Sequence, residues 1–170
     1  MFDGWSNFFI TTGAAGGTLV GLLFVVVTLG SGLPTARKLE IAHASLTPAL
    51  YSFASVLLQS MVVLVPWPSD GRSGVLFVAI GIGGLIYRIK AVQARRSLHL
   101  RAIQSMLDRI IHNLSPILAS AILIYGGAAL IKAEPLAPFA IAGSTMLFLL
   151  SGIDRTWGQT LALIGLSDQA

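Results

Sequence analysis

Long apolar runs alternate with short polar stretches along the chain, and five of these runs approach the length of a membrane-spanning helix. Such a helix needs about 20 mostly apolar residues. The pattern therefore predicts an all-α, polytopic membrane helical bundle that forms a single domain over 1–170. The predicted spans are about 8–29, 47–65, 73–92, 114–131 and 135–153.

Proline marks several ends of these runs. Thr47-Pro48 and Ser115-Pro116 each place a capping hydroxyl before a proline, which favours the start of a helix. The segments 66–71 and 133–135 also contain proline and predict tight turns between neighbouring helices. On this basis the second helix begins near Thr47 and the fourth begins near Ser115.

A different periodicity precedes the fourth run. Between Arg101 and Leu114 the apolar residues recur every three or four positions, and polar residues occupy the opposite face. This pattern is typical of an amphipathic helix. We predict a separate cytoplasmic helix at about 101–113, which lies on the lipid surface or packs against the inner mouth of the bundle.

Composition supports a bilayer as the solvent. The chain is 55% hydrophobic and 11% charged, with a mean hydropathy of +0.82, whereas soluble domains average roughly 25% charged residues. Cysteine is absent, which excludes disulfides, thiol nucleophiles and thiolate metal ligands. The first run lacks a basic leader and is too long for the apolar part of a signal peptide, so we expect it to be retained.

The distribution of basic residues predicts an orientation. On a five-helix path, nine of the 11 Lys and Arg residues fall on the side that holds the first loop, the third loop and the tail. The other side holds Arg72 and Lys132. Cytoplasmic loops carry the excess of basic residues, so we predict the amino terminus outside and the carboxyl terminus in the cytoplasm.

Glycines form a stripe along the first predicted helix, at Gly13, Gly17 and Gly21. In lipid the hydrophobic effect does not drive helices together, and glycine instead allows their backbones to approach closely. The stripe therefore predicts a packing face. It packs either within one chain or between the subunits of a homo-oligomer.

The residues from Gly13 to Val25 read GAAGGTLVGLLFV. This run resembles the first helix of small, uncharacterised bacterial inner-membrane proteins, which follows a Gly-Ala-x-x-x-x-Leu-x-Gly-Leu-Leu-Phe-Val pattern. Trp157 and the apolar run after it are similar to the end of such chains. The resemblance implies a multi-pass protein of a bacterial inner membrane, and it supplies no activity and no catalytic residues.

Polar side chains share one face on each of two predicted helices. Ser52, Ser55 and Gln59 do so on the second helix, and Ser144 and Ser151 on the fifth. Buried polar groups often bond across helices, so these residues either hold helices together or line a narrow polar pathway. The middle of every span lacks Asp, Glu, Lys and Arg, which argues against a proton-driven transporter.

Basic residues accumulate where the third run ends, at Arg88, Arg95, Arg96 and Arg101. We expect them to extend toward anionic lipid headgroups on the cytoplasmic side. The alternative is a basic inner vestibule that concentrates anions.

Motifs of known chemistry are missing from the sequence. It has no Gly-x-Ser-x-Gly, no His-Glu-x-x-His and no phosphate loop, so we predict no enzyme and no catalytic residues. Glu40 and His43, and Asp108 and His112, have a spacing that two metal ligands on a helix could use. Glu40 pairs more simply with Arg37, however, and we predict no metal and no cofactor.

Two functions fit these features. The first is a homo-oligomeric passive channel or facilitator for a small solute or ion. The second is a structural or accessory membrane subunit that binds a partner protein or anionic lipid. Membrane lipids and further copies of the chain are the expected partners, and nucleic acid is not.

Overall fold

The computed structural model describes residues 2–29, 47–97 and 106–167. The described residues form five α-helices, and each contains a stretch of 18 residues or more that is long and apolar enough to cross a membrane. The all-α class and the five helices predicted from the apolar runs are therefore confirmed. The helices are α1 (Ser6–Leu29), α2 (Thr47–Leu64), α3 (Asp70–Ser97), α4 (Met106–Ile131) and α5 (Ala137–Ser167).

The predicted start of the fourth helix is wrong. Helix α4 is continuous from Met106, so Pro116 lies inside it and does not mark its first turn. The predicted amphipathic helix is consequently not separate from the fourth span over 106–113, and 101–105 lies outside the described residues. A helix satisfies its own backbone hydrogen bonds whatever its side chains, so it need not end with an apolar run. For the same reason, α3 continues beyond residue 92 and α5 beyond residue 153, the predicted ends of the third and fifth spans.

Neighbouring helices in the bundle run antiparallel. Helix α2 packs on α1 and on α5, and α4 packs on α3 and on α5, whereas α3 packs only lightly on α2. The helices therefore follow the spatial order α1, α2, α5, α4, α3. Helix α5 joins the α1–α2 pair to the α3–α4 pair.

Aromatic rings pack together at the end of the bundle where α1, α3 and α5 begin. The Trp5 ring meets the Phe139 ring edge to face, with centroids 4.9 Å apart. Phe2 packs on Phe9 at 5.9 Å and on Phe77 at 6.4 Å. Edge-to-face ring pairs are favourable beyond the area that they bury, so this aromatic end ties α1 to α3 and α5.

Glycines set the closest approach of α3 to α4. A Cβ atom added at Gly74 would lie 2.7 Å from the carbonyl oxygen of Gly127, and one added at Gly127 would lie 2.7 Å from that of Gly74. Seven residues further along α3, a Cβ at Gly81 would lie 2.6 Å from a side-chain carbon of Ile124. The two backbones touch because no side chain separates them.

Helix α4 ends in a hydrogen-bonded cap with one strained residue. The Glu134 N–H donates to the carbonyl of Ala129 at 2.9 Å, and the Ala133 N–H donates to that of Leu130 at 3.1 Å. These two bonds define a Schellman motif. Ala133 has a φ of 58°, a left-handed conformation that costs an L-residue roughly 1–2 kcal/mol.

Replacing Ala133 by glycine is expected to raise the free energy of unfolding by about 0.5–1 kcal/mol, because glycine adopts this conformation without the steric cost. Thermal unfolding in detergent measures the effect. The control is Ala121→Gly, an exposed position inside the same helix, where glycine should lower stability by about the same amount. Equal destabilisation by Ala133→Gly and Ala121→Gly would show that the backbone of Ala133 is not strained.

Candidate functional site

Polar side chains from every helix lie in the interior of the bundle. Among the described residues, ten uncharged polar side chains are less than a tenth exposed, and they come from all five helices. The ten residues are Thr12, Ser52, Ser55, Gln59, Ser60, Ser73, Ser120, Ser144, Thr145 and Ser151. All five residues that the sequence suggests for a polar pathway are therefore buried between helices.

The serines among those five bond to helix backbones. The hydroxyls of Ser52, Ser55 and Ser151 donate to carbonyl oxygens of their own helices, at 3.1, 2.8 and 3.0 Å respectively. Ser144 donates instead to the Ala119 carbonyl of α4, at 2.8 Å. Because each hydroxyl has an acceptor inside the bundle, this arrangement favours the packing role over the lining of a pathway.

Gln59 links α2 to α5. Its Oε1 atom lies 3.0 Å from Thr145 Oγ1, which also lies 2.8 Å from the Ile141 carbonyl. Both side chains are fully buried. The Gln59 Nε2 atom is buried without a hydrogen-bond partner among the described residues. The sequence indicates Gln59 as a helix-bonding residue, but it gives no signal for Thr145 as its partner.

The predicted glycine stripe divides between the inside and the outside of the chain. A Cβ atom added at Gly13 would lie 2.8 Å from Ser60 Cβ, so Gly13 packs against α2. Gly17 is half-buried and Gly21 is exposed, with no atom within 4 Å of an added Cβ at Gly21. Gly16 is the next buried glycine, and it faces the α2 backbone. Packing between copies along Gly17 and Gly21 stays a prediction.

Arg88 is the buried charged residue among the described side chains, with 6% of its surface exposed. Its Nη2 atom donates to Ser52 Oγ at 3.3 Å. The guanidinium lies over the rings of Tyr51 and Phe148, 5.5 and 5.8 Å from their centroids. Its Nε atom is buried and has no hydrogen-bond partner among the described residues. This inward placement differs from the predicted extension toward headgroups.

Tyrosines and a second arginine surround the Arg88 guanidinium. The rings of Tyr51 and Tyr87 are stacked, with centroids 4.8 Å apart and 13° between their planes. Gly84 leaves room for Tyr51, because an added Cβ there would lie 2.7 Å from the phenol oxygen. Arg155 of α5 is close enough for its charge to repel that of Arg88. We call Tyr51, Ser52, Tyr87, Arg88, Phe148 and Arg155 the Arg88 cluster.

The other predicted contacts to anions cannot be placed in this cluster. Arg95 and Arg96 belong to α3, but their side chains lie outside the described part, as does the whole of Arg101. The side chains of Glu40, His43, Asp108 and His112 are likewise outside it. Among the residues that are described, no three His, Cys, Asp or Glu side chains gather as a metal site requires.

Comparison of the chain with protein-family models, with curated proteins and with solved structures finds no match in any of the three. The buried polar groups and the Arg88 cluster are the features that carry chemistry.

Proposed function

We propose that this chain is a multi-pass membrane protein that serves as a structural or accessory membrane subunit. The observation that carries the proposal is an inverted distribution of side chains. Ten serine, threonine and glutamine side chains among the described residues are buried, while every helix turns large, more than half-exposed apolar or aromatic side chains outward. Lipid solvates such a surface, whereas in water it is a site of association. Examples, one from each helix, are Phe24, Met61, Val75, Tyr125 and Trp157.

The hydrogen bonds of the buried polar groups favour a structural role over a conducting one. The Gln59–Thr145 contact links α2 to α5, and the Ser144 hydroxyl links α5 to α4. Water in a pathway would compete for these groups, and here the serine hydroxyls and Gln59 Oε1 bond to protein atoms instead. A structural subunit that binds a partner protein or lipids needs stable contacts between its helices. It does not need a water-filled path through them.

The orientation belongs to the proposal. The amino terminus is outside and the carboxyl terminus is in the cytoplasm, because the excess of basic residues marks the inner side. The resemblance of residues 13–25 adds a bacterial inner membrane as the expected location. Reporter fusions at Asp70 and Glu134 should read the periplasm, and fusions at Arg96 and Ala170 the cytoplasm. The opposite readings at Asp70 and Ala170 would reverse the topology.

A flux measurement tests the structural role. Vesicles that contain the purified chain are expected to release small ions and solutes no faster than empty vesicles. Gln59→Leu serves as the matched variant, because Thr145 keeps its Ile141 acceptor and the unpartnered amide is removed. Its stability should stay within about 1 kcal/mol of the wild type. Flux in the wild type that Gln59→Leu abolishes would contradict the proposal and favour a channel.

A homo-oligomeric passive channel or facilitator is the second candidate. The observation that favours it is the open outer face of α1, where Ala14, Thr18 and Gly21 are exposed. Small residues of this kind let two copies of a helix approach closely in lipid. A ring of copies could then enclose a path that a single chain does not contain.

A further inference from the structure

We propose that the Arg88 cluster binds an oxyanion, namely a phosphate group that is carried by an anionic lipid or is free in solution. The choice of a lipid as its source rests on the proposed membrane arrangement, while the site itself rests on the contacts around Arg88. The exposed Lys90 of α3 is not part of the site.

The first argument is that no described residue supplies a counter-charge. Arg88 is 6% exposed, and its one hydrogen bond to a described residue goes to the neutral hydroxyl of Ser52. A buried charge is costly unless it is paired and hydrogen-bonded. The buried Nε atom is a strong donor that meets no acceptor in the described part of the chain. An anion that accepts from Nε would supply the partner and the charge together.

The second argument is the chemistry of the surroundings. Arg155 places a second positive charge within interaction range of Arg88, and two neighbouring positive charges favour an anion as the ligand. The guanidinium makes cation–π contacts with the rings of Tyr51 and Phe148, which restrict its position. A fixed, planar guanidinium matches the oxygens of phosphate better than a flexible ammonium does.

Access to the cluster lies between α2 and α3. These two helices pack only lightly on each other, and the stacked pair Tyr51 and Tyr87 between them is half-buried. Tyrosines are enriched at the boundary between hydrocarbon and headgroups, which fits a tyrosine pair beside the end of the apolar run of α3. A phosphate that enters beside the tyrosines would reach Arg88 from the end of the bundle where α3 leaves its apolar run.

The test measures thermal unfolding of the delipidated full chain in neutral detergent. Inorganic phosphate and phosphatidylglycerol in mixed micelles are titrated separately, with chloride at equal ionic strength and phosphatidylcholine as references. We expect saturable stabilisation of the wild type. Arg88→Gln should weaken the apparent affinity by about 10- to 100-fold, as expected for the loss of hydrogen bonds to a charged group. Lys90→Gln removes an exposed charge two residues away and should leave the affinity within about threefold.

Arg88→Met is a second variant, in which an unbranched apolar side chain replaces the buried charge. Proteins often tolerate the replacement of a buried charged group by an apolar one. This variant should unfold in a single cooperative transition, as the wild type does, and should not be stabilised by either probe. A response to phosphatidylglycerol alone identifies a lipid headgroup, and an equal response to inorganic phosphate identifies a free anion. Either outcome supports the site.

Two results would overturn the proposal. One is an equal response of the wild type and Arg88→Met to both probes. The other is no saturable response of the wild type to either probe. The reporter fusions read topology without reference to Arg88, so failure of the anion site and failure of the membrane arrangement are distinguishable.

Discussion

Replacing Gly127 by alanine is expected to lower the free energy of unfolding by about 1–3 kcal/mol, the usual cost of overpacking a tight contact. An added Cβ would lie 2.7 Å from the Gly74 carbonyl oxygen and 2.9 Å from the Val78 backbone nitrogen. Neither atom can rotate away as the end of a side chain can, so α3 and α4 must separate. Thermal unfolding of the purified chain in detergent measures the loss.

Gly83→Ala and Gly143→Ala are the matched controls for this change. Both positions are exposed, and an added Cβ meets no atom within 4 Å at either. Alanine should there raise stability by about 0.5–1 kcal/mol through its better helix propensity. Losses of similar size at Gly127, Gly83 and Gly143 would show that helix propensity and not the α3–α4 contact decides the outcome.

Replacing Gly16 by leucine is expected to destabilise the chain by about 3 kcal/mol, at the upper end of overpacking costs. A Cβ at this position already lies 3.2 Å from the Phe53 carbonyl oxygen and 3.2 Å from Val56 Cγ1, and leucine adds three further carbons. The change should force α1 away from α2. Lower thermal stability and a lower folded yield in detergent measure the effect.

Gly21→Leu is the counterpart on the outer side of α1. Open space surrounds Gly21 within the chain, so the folded monomer should keep its stability. If copies of the chain pack along this face, the added side chain should dissociate the oligomer, which size exclusion with light scattering detects. Gly17→Leu should have an intermediate effect on stability, because Leu57 Cδ1 lies 3.9 Å from an added Cβ.

The packing of α1 on α2 would be contradicted if Gly16→Leu left the thermal stability of the chain unchanged.

The number of helices was predictable from the sequence because an apolar run of about 20 residues is a strong local signal. The start of α4 was not. A serine before a proline is a favoured first turn of a helix, yet the same pair occurs inside the helix that begins at Met106. A Ser-Pro pair is compatible with the first turn of a helix and also with a position inside one. The pair alone therefore does not predict where the helix begins.

The residues against which the glycines pack could not be predicted from the sequence either. Gly13 belongs both to a stripe with Gly17 and Gly21 and to a pair with Gly16, and periodicity alone does not say which side meets another helix. The structure turns Gly16 inward and Gly21 outward. The contact of Gly74 with Gly127 joins residues far apart in the chain, and a pattern within one helix carries no information about it.

Arg88 shows the same limit for a candidate site. Its position at the end of an apolar run predicts an arginine that extends toward headgroups. The inward direction depends on Ser52, Tyr51 and Phe148, which lie on two other helices. Burial of this charge therefore becomes visible only when the helices are assembled.

The position of α5 after the other four helices sets an order of assembly. Helix α5 packs on both α2 and α4, while the pairs α1–α2 and α3–α4 meet each other lightly. Amino-terminal segments are synthesised first, so both hairpins exist before the helix that joins them. Until α5 arrives, Gln59 lacks Thr145 and the Ala119 carbonyl lacks Ser144. Between the synthesis of α4 and that of α5, buried polar groups of α2 and α4 therefore lack their partners on α5.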